Sequence, residues 1–178
     1  MKRLLYLINH ENNMVNIKIR PQKVSDAKRF YDILNNDNFI YFGVDLKSVE
    51  DERKYLRKNA KKRKDNFEYN YAIILDKKVV GACGIKIDQH SPYIGEIGYF
   101  VDENHWGKGI ATKSVELLEK IAFNKLKLKR TEILMNPKNT ASEKVAIKHG
   151  YKKEGLMKKK VLVLGKYHDA LLYAKIKS

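Results

Sequence analysis

Only one cysteine, Cys83, occurs among 178 residues, so neither an internal disulfide nor a multi-cysteine zinc site is available. A reducing compartment is the simplest setting for such a chain, and it reads as cytoplasmic. No apolar run approaches the about 20 residues that cross a bilayer, which argues against a membrane partner. The stretch Leu4 to Ile8 is too short for a signal-peptide core. The five histidines, His10, His90, His105, His149 and His168, share no metal-ligand spacing. No Gly-x-Ser-x-Gly elbow accompanies His168-Asp169. Metal and hydrolase readings therefore lapse. Acidic residues are the remaining shortage, 21 against 37 lysines and arginines, for a net charge of +16. With 43% hydrophobic residues the chain still buries a core, which excludes a disordered basic tail. Its length fits one domain of about 100–200 residues. No repeat, linker or low-complexity tract divides it. The domain is expected over 15–178, after a loose extension at 1–14 in which no period is clear. Met14 is a second candidate start, which the intact mass decides.

Alternation from Val15 to Arg20, broken at Pro21, predicts a half-buried first strand. Ser25 or Asp26 can cap a helix carrying Ala27, Phe30, Tyr31 and Leu34. Ser48 can cap a second, whose charged run Lys58 to Lys64 is a solvated face. Tyr71 to Leu75, Val79 to Ile87 and Tyr93 to Val101 predict an antiparallel meander with short turns. Then the period changes. Ala111, Val115, Leu118 and Ala122 share a helical face behind Gly107 to Gly109, and Thr131 to Met135 returns to strand, a parallel crossover. Thr140 with Glu143 forms a capping box for a fourth helix that stops at Gly150. Two last strands are expected around Lys160 to Leu164 and Asp169 to Ile176, with Gly165-Lys166 between them.

The segment Asn104-His105-Trp106-Gly107-Lys108-Gly109-Ile110-Ala111-Thr112 joins a strand to a helix. Two glycines let backbone approach a ligand while free N–H groups point outward, an arrangement that suits phosphate. An isolated Gly-x-Gly is more often a plain turn. This one fits neither the phosphate loop of NTPases nor the dinucleotide fingerprint, so a different phosphate ligand is required. The segment resembles the pyrophosphate loop of the GNAT superfamily of acetyl-CoA-dependent N-acetyltransferases. The runs Gly95 to Val101, Asn136 to Ser142, Lys148 to Tyr151 and Gly165 to Asp169 resemble its ribosomal-protein N-terminal acetyltransferase branch. The ordered combination, over roughly 15–177, is more specific than any single motif.

That resemblance implies an α/β (α+β) GNAT fold. Its mixed, mostly antiparallel sheet of about seven strands, flanked by about four helices, splays between the fourth and fifth strands. It implies acetyl-CoA as co-substrate, held by backbone around Tyr99, Phe100 and Val101 and by the loop residues His105, Trp106, Gly107, Lys108, Gly109, Ile110, Ala111 and Thr112. Asn139 resembles the asparagine that holds the cofactor and the adjoining strand, and Ser142 the serine that contacts the cofactor sulfur or substrate. Two positions depart from the pattern. Asn104 replaces a longer arginine or glutamine at the loop's start, and Ala146 stands where many relatives carry a tyrosine that protonates the leaving thiolate.

Glu96, on the strand leading to the loop, is the candidate general base, acting directly or through water. A solvated carboxylate paired with lysine is the equally weighted alternative. Trp106 also reads as packing on the sheet, and Lys108, Lys113 and Lys144 as phosphate contacts or plain surface. Cys83 reads as a buried thiol, so direct transfer is expected over an acyl-cysteine route. About a tenth of an α-amino group is unprotonated at pH 7, far more than of a lysine side chain. The acceptor is therefore expected to be a protein N-terminus, with a ribosomal protein in view. An aminoglycoside- or polyamine-type amine is the alternative, disfavoured at long range by the +16 charge unless the pocket is locally acidic. The basic surface could also draw the chain to a ribosome, and a non-enzymatic RNA-binding module is the distant rival. The acceptor wall is expected around Phe39 to Gly43 and the last hairpin; a homodimer stays open.

Overall fold

The computed structural model describes residues 15–39, 48–163 and 165–177. The expected extension at 1–14, the expected wall beyond Phe39 and the last residue of the expected Lys160–Leu164 strand lie outside the described residues.

Seven strands form one sheet in the order β1-β2-β3-β4-β5-β7-β6. The strands β1 (Lys18–Pro21), β2 (Glu68–Leu75), β3 (Lys78–Ile87) and β4 (Ile94–Val101) are antiparallel neighbours, the expected meander. Its β2–β3 turn is tight because Asp76 and Lys77 both take positive φ, 48° and 63°, the twist-matching geometry of a two-residue hairpin. β5 (Arg130–Met135) then runs parallel to β4, and β6 (Lys152–Val163) and β7 (Lys166–Ile176) close the far side as a hairpin. β6 begins eight residues earlier than its alternation predicts, at Lys152 rather than Lys160. As an edge strand it exposes Lys152, Lys153 and Glu154 in succession, and two register shifts interrupt its pairing, so the period-2 signal is lost.

Helices cover both faces. α1 (Ala27–Leu34) and α2 (Val49–Arg57), the latter continued by a short helix at Asn59–Lys64, bury Ala27, Phe30 and Leu56 against Ala72 and Ala82. α3 (Ile110–Glu119) and α4 (Thr140–Lys148) lie over the other core, where Ile73, Ile85, Ile97, Val115 and Leu118 are sealed from water. Neighbours Ala72 and Ile73 thus serve opposite cores, as strand alternation requires. Ser48 caps α2 as expected, accepting from the Asp51 N–H at 3.1 Å. Of the two candidates for α1, Asp26 holds the cap position. Its carboxylate turns back instead, to the Lys23 N–H at 2.8 Å and to the Arg20 guanidinium at 2.7 Å, tying helix to β1.

Two details correct the sequence reading. The cap of α4 is Asn139, whose Oδ1 accepts from the Ser142 N–H at 3.0 Å; Thr140 is already helical. Glu143 is consequently free to accept from the Tyr173 hydroxyl of β7. Beyond Glu119 the third helix widens into a π turn, Lys120–Lys125, before reaching β5.

The feature that positions the site is the short join of β4 to β5. Their pairing runs over Ile94–Arg130, Gly95–Thr131 and Glu96–Glu132, and then the strands part. Residues 97–101 of β4 and 133–135 of β5 face a gap, the expected splay.

Candidate active site

Past the end of β4, Asp102 accepts from both the backbone and the side chain of Asn104, at 3.0 and 2.9 Å, and is clamped by Arg29 of α1. The short residue at the loop's first position is thereby held to the end of β4. Gly107 and Gly109 both sit at left-handed φ, 73° and 74°, and Gly109 is the N-cap of α3. No heavy atom lies within 4 Å of where a Cβ on Gly107 would project, so the bend is open. The N–H groups of Ile110, Ala111 and Thr112, in the first turn of α3, have no intrahelical acceptor and carry the positive end of the helix dipole. They form a backbone cradle that fits a diphosphate. The Ile110 side chain is buried beneath it. Lys108 folds back, its Nζ donating to the Asn104 carbonyl at 3.0 Å. Trp106 is anchored through Nε1 to the Val101 carbonyl at 2.6 Å and meets Phe39 edge-on, yet half its surface stays exposed. His105 lies 3.5 Å from Asp102 and leaves Nδ1 buried without a hydrogen bond.

Backbone alternation decides which parts of β4 serve the gap. The Asp102 N–H donates to Val80 and the Ile94 carbonyl accepts from Asp88, so the even-numbered residues of β4 turn toward β3. Tyr99 and Val101 turn the other way, to the side β5 has left. Phe100, expected among the groups that meet the cofactor arm, spends its backbone on β3: its carbonyl would lie 2.2 Å from a Cβ on Gly81. Its ring packs edge-on to Phe30. At the gap the Tyr99 hydroxyl and Ser142 Oγ are hydrogen-bonded at 2.8 Å. Burial raises the Tyr99 pKa, and the bond to Ser142 pulls it back in part. The position four residues before Gly150 is Ala146, fully buried and without a hydroxyl.

On the α1–α2 face lies an open cavity of about 430 Å³ whose lining includes Glu96, Tyr99, Glu52, Glu68, Lys86 and Asp51. Register builds its floor. Glu68 is opposite Lys86, Lys86 opposite Glu96, and Glu96 opposite Glu132, a charged row across four strands. Glu96 is open to water, yet crowding by the cavity walls raises its pKa, opposed by Lys86 and reinforced by Glu132. Burial would also raise Glu68, but Lys62 at 2.6 Å and Asn70 at 3.0 Å hold its carboxyl below the usual range. Glu52, on α2, is 6% exposed, and burial pushes its pKa up to about 7 against the weaker pull of Lys62. Cys83, on the strand beneath this cavity, turns its thiol into the α3–α4 core, where burial pushes its pKa far up, the opposite of an activated nucleophile.

Of the residues the sequence singles out, Glu96 lines this cavity, Ser142 bonds the Tyr99 hydroxyl, Asn139 caps α4 and the two glycines bend the loop. The Tyr99 hydroxyl, the Arg29–Asp102 brace and Glu52 carry no signal in the sequence that picks them out. The local acidity set as a condition for cationic acceptors is present: four carboxylates and one lysine line the cavity of a strongly basic chain. Gly81-Ala-Cys-Gly84 lies within β3, not in a loop that could clamp RNA.

Comparison with known proteins gives the geometry its context. Residues 16–152 match the acetyltransferase (GNAT) domain family. The chain is 33% identical over 162 residues to the probable N-acetyltransferase YjcK of Bacillus subtilis, covering 86% of this chain and 90% of that one. It is 28% identical over 131 residues to the ribosomal-protein-serine acetyltransferase of Escherichia coli, covering 74% and 73%. Its fold superposes with a TM-score of 0.80 on RimL, the ribosomal L7/L12 alpha-N-protein acetyltransferase, in complex with coenzyme A, at 25% identity over 92% of this chain and 97% of that one. An open glycine bend with free first-turn N–H groups, a split sheet and a carboxylate-lined cavity thus occur in a chain that belongs to the GNAT family of N-acetyltransferases.

Proposed function

We propose that the protein acetylates a primary amine from acetyl-CoA by direct attack in a ternary complex, with a protein N-terminal α-amine as acceptor. The observation that carries this reading is the position of Tyr99. The residue lines the carboxylate cavity from its strand, while its side chain turns to the α3–α4 face and its hydroxyl reaches Ser142 beside the gap, so acceptor and donor would meet across this strand. The first-turn N–H groups of α3 would hold the diphosphate, and the backbone of Tyr99 and Val101 the amides of the pantetheine arm. The thioester supplies an activated acetyl group. Glu96 accepts the proton that the acceptor nitrogen sheds as its bond to the acetyl carbon forms. The Tyr99 N–H is placed to steady the oxyanion. The Tyr99–Ser142 pair returns a proton to the departing sulfur, the task for which Ala146 has no group.

Tyr99→Phe is accordingly expected to lower kcat about ten- to a hundred-fold with little change in acetyl-CoA affinity, within the range of a positioned proton donor. Single-turnover kinetics measures it, and an unchanged rate removes the hydroxyl from the chemistry.

The acidic lining favours a second acceptor reading, a small cationic amine. Labelled acetyl-CoA with ribosomal proteins in one reaction and an amine panel in another, followed by mass spectrometry, separates the two. Label on α-amino termini supports the first and label on the panel the second; label on neither overturns both. Independently, acetyl-CoA at 100 times its Kd is expected to stabilise the fold by about 2.7 kcal/mol. No melting shift would leave the cradle without its ligand.

A further inference from the structure

A mostly buried glutamate with no hydrogen-bond partner among the described residues stands out in the cavity. Glu52 is 6% exposed, lines the cavity and receives no hydrogen bond or ion pair from any described residue. The nearby cation, Lys62, is already committed: its Nζ bonds Glu68 at 2.6 Å and lies 3.8 Å from the centre of the Tyr55 ring. Neighbouring acids are matched or exposed. Asp51 accepts from the Ser48 hydroxyl at 2.8 Å, Glu68 has Lys62 and Asn70, and Glu96 has Lys86 opposite it in the sheet. A carboxylate on a mostly buried residue, facing a cavity with no hydrogen bond from a described residue, is poorly compensated, and a bound group that supplies counter-charge would relieve it.

We infer that Glu52 is the seat for a second positive charge on the acceptor, so that the preferred substrate is an amine carrying another cation near the nitrogen that is acetylated. The inference rests on the acetyl-transfer reading above and narrows its substrate class. Glu96 and Glu52 line the same cavity, one on the sheet floor and one on the α2 wall, so a single bound molecule reaches both. With the reacting nitrogen unprotonated at Glu96, the charge that Glu52 meets must come from another group. A basic side chain beside a peptide's N-terminal residue supplies it, and so does the far end of a diamine. The surplus of +16 over the whole chain repels such molecules at a distance, which makes a local carboxylate the means of admitting them.

Two matched pairs of acceptors test this, each differing by one charge: a peptide beginning Ser-Lys against the same peptide beginning Ser-norleucine, and 1,4-diaminobutane against 1-aminobutane. The wild-type protein is expected to favour the more highly charged member of the pair it accepts by at least about ten-fold in kcat/KM, carried by KM. Preference within the peptide pair identifies a protein acceptor, and within the amine pair a small molecule. Glu52→Gln should bring the ratio close to one, while Glu52→Asp, which keeps the charge, should retain several-fold. Transfer to the neutral members without a charge preference, or a preference that survives Glu52→Gln, overturns the inference and leaves amine acetylation standing. Transfer to none of the four overturns both.

Discussion

Glu96→Gln is expected to lower kcat by about two to three orders of magnitude while the melting shift with acetyl-CoA stays as in the wild type. Glutamine keeps the shape and the cross-strand position between Lys86 and Glu132 but cannot accept a proton. The pH profile offers a second reading of the same variant. Crowding raises the Glu96 pKa, and the group works as a base only when ionised, so activity falls as pH drops through that raised value. In the variant this acidic limb should vanish together with the rate. A kcat within a few-fold of wild type, or an acidic limb that persists, would assign the proton to another acceptor.

Stability should move in the opposite direction at Glu52. A carboxyl whose pKa rises from 4.5 to about 7 on folding binds its proton more tightly in the folded chain. Folding stability therefore declines as pH rises from 4.5 to about 7 and is level above that. Above pH 7 the burial costs about 3 kcal/mol, at about 1.4 kcal/mol for each unit of pKa change. Glu52→Gln is expected to remove that cost and raise the melting temperature at pH 8 by several degrees, given about 2–4 °C per kcal/mol for a chain of this size. At pH 4 the gain should disappear, since the wild-type carboxyl is then protonated in both states. Any constant cost of the buried amide cancels in this difference. Equal melting temperatures of variant and wild type at pH 8, with no pH dependence to the difference, would show that Glu52 is not strained. An acceptor site that destabilises its own fold is the expected trade between binding and stability.

How far the sequence reveals this molecule depends on the range of the interactions involved. Period and turn chemistry mark the meander, the crossover and both glycines of the cradle, because each is decided within a few residues. The cap of α4 slipped from Thr140 to Asn139 because both residue types cap well and only the backbone tells them apart. β6 is legible over its second half alone, since its first three residues are all charged and exposed and show no alternation. Glu96 could be singled out from its place before the loop, but its neighbours Glu68, Lys86 and Glu132 are set by register across four strands. Nothing local distinguishes Glu52 from Glu50 or Asp51; the angle at which α2 meets the sheet buries one and exposes the others. Tyr99 and Ser142 lie 43 positions apart and meet because strand alternation turns Tyr99 to the face that α4 covers.

The brevity of the β4–β5 join has a mechanical consequence. Hydrogen bonding from strand to strand is continuous within the four-strand leaf and within the three-strand leaf, but only three residue pairs stitch one leaf to the other. On the proposed reading, a donor lodged in the opening would lend its own amides to Tyr99 and Val101 and serve as a temporary eighth strand. Occupancy and sheet continuity would then be the same event, and release of the spent carrier would reopen the seam.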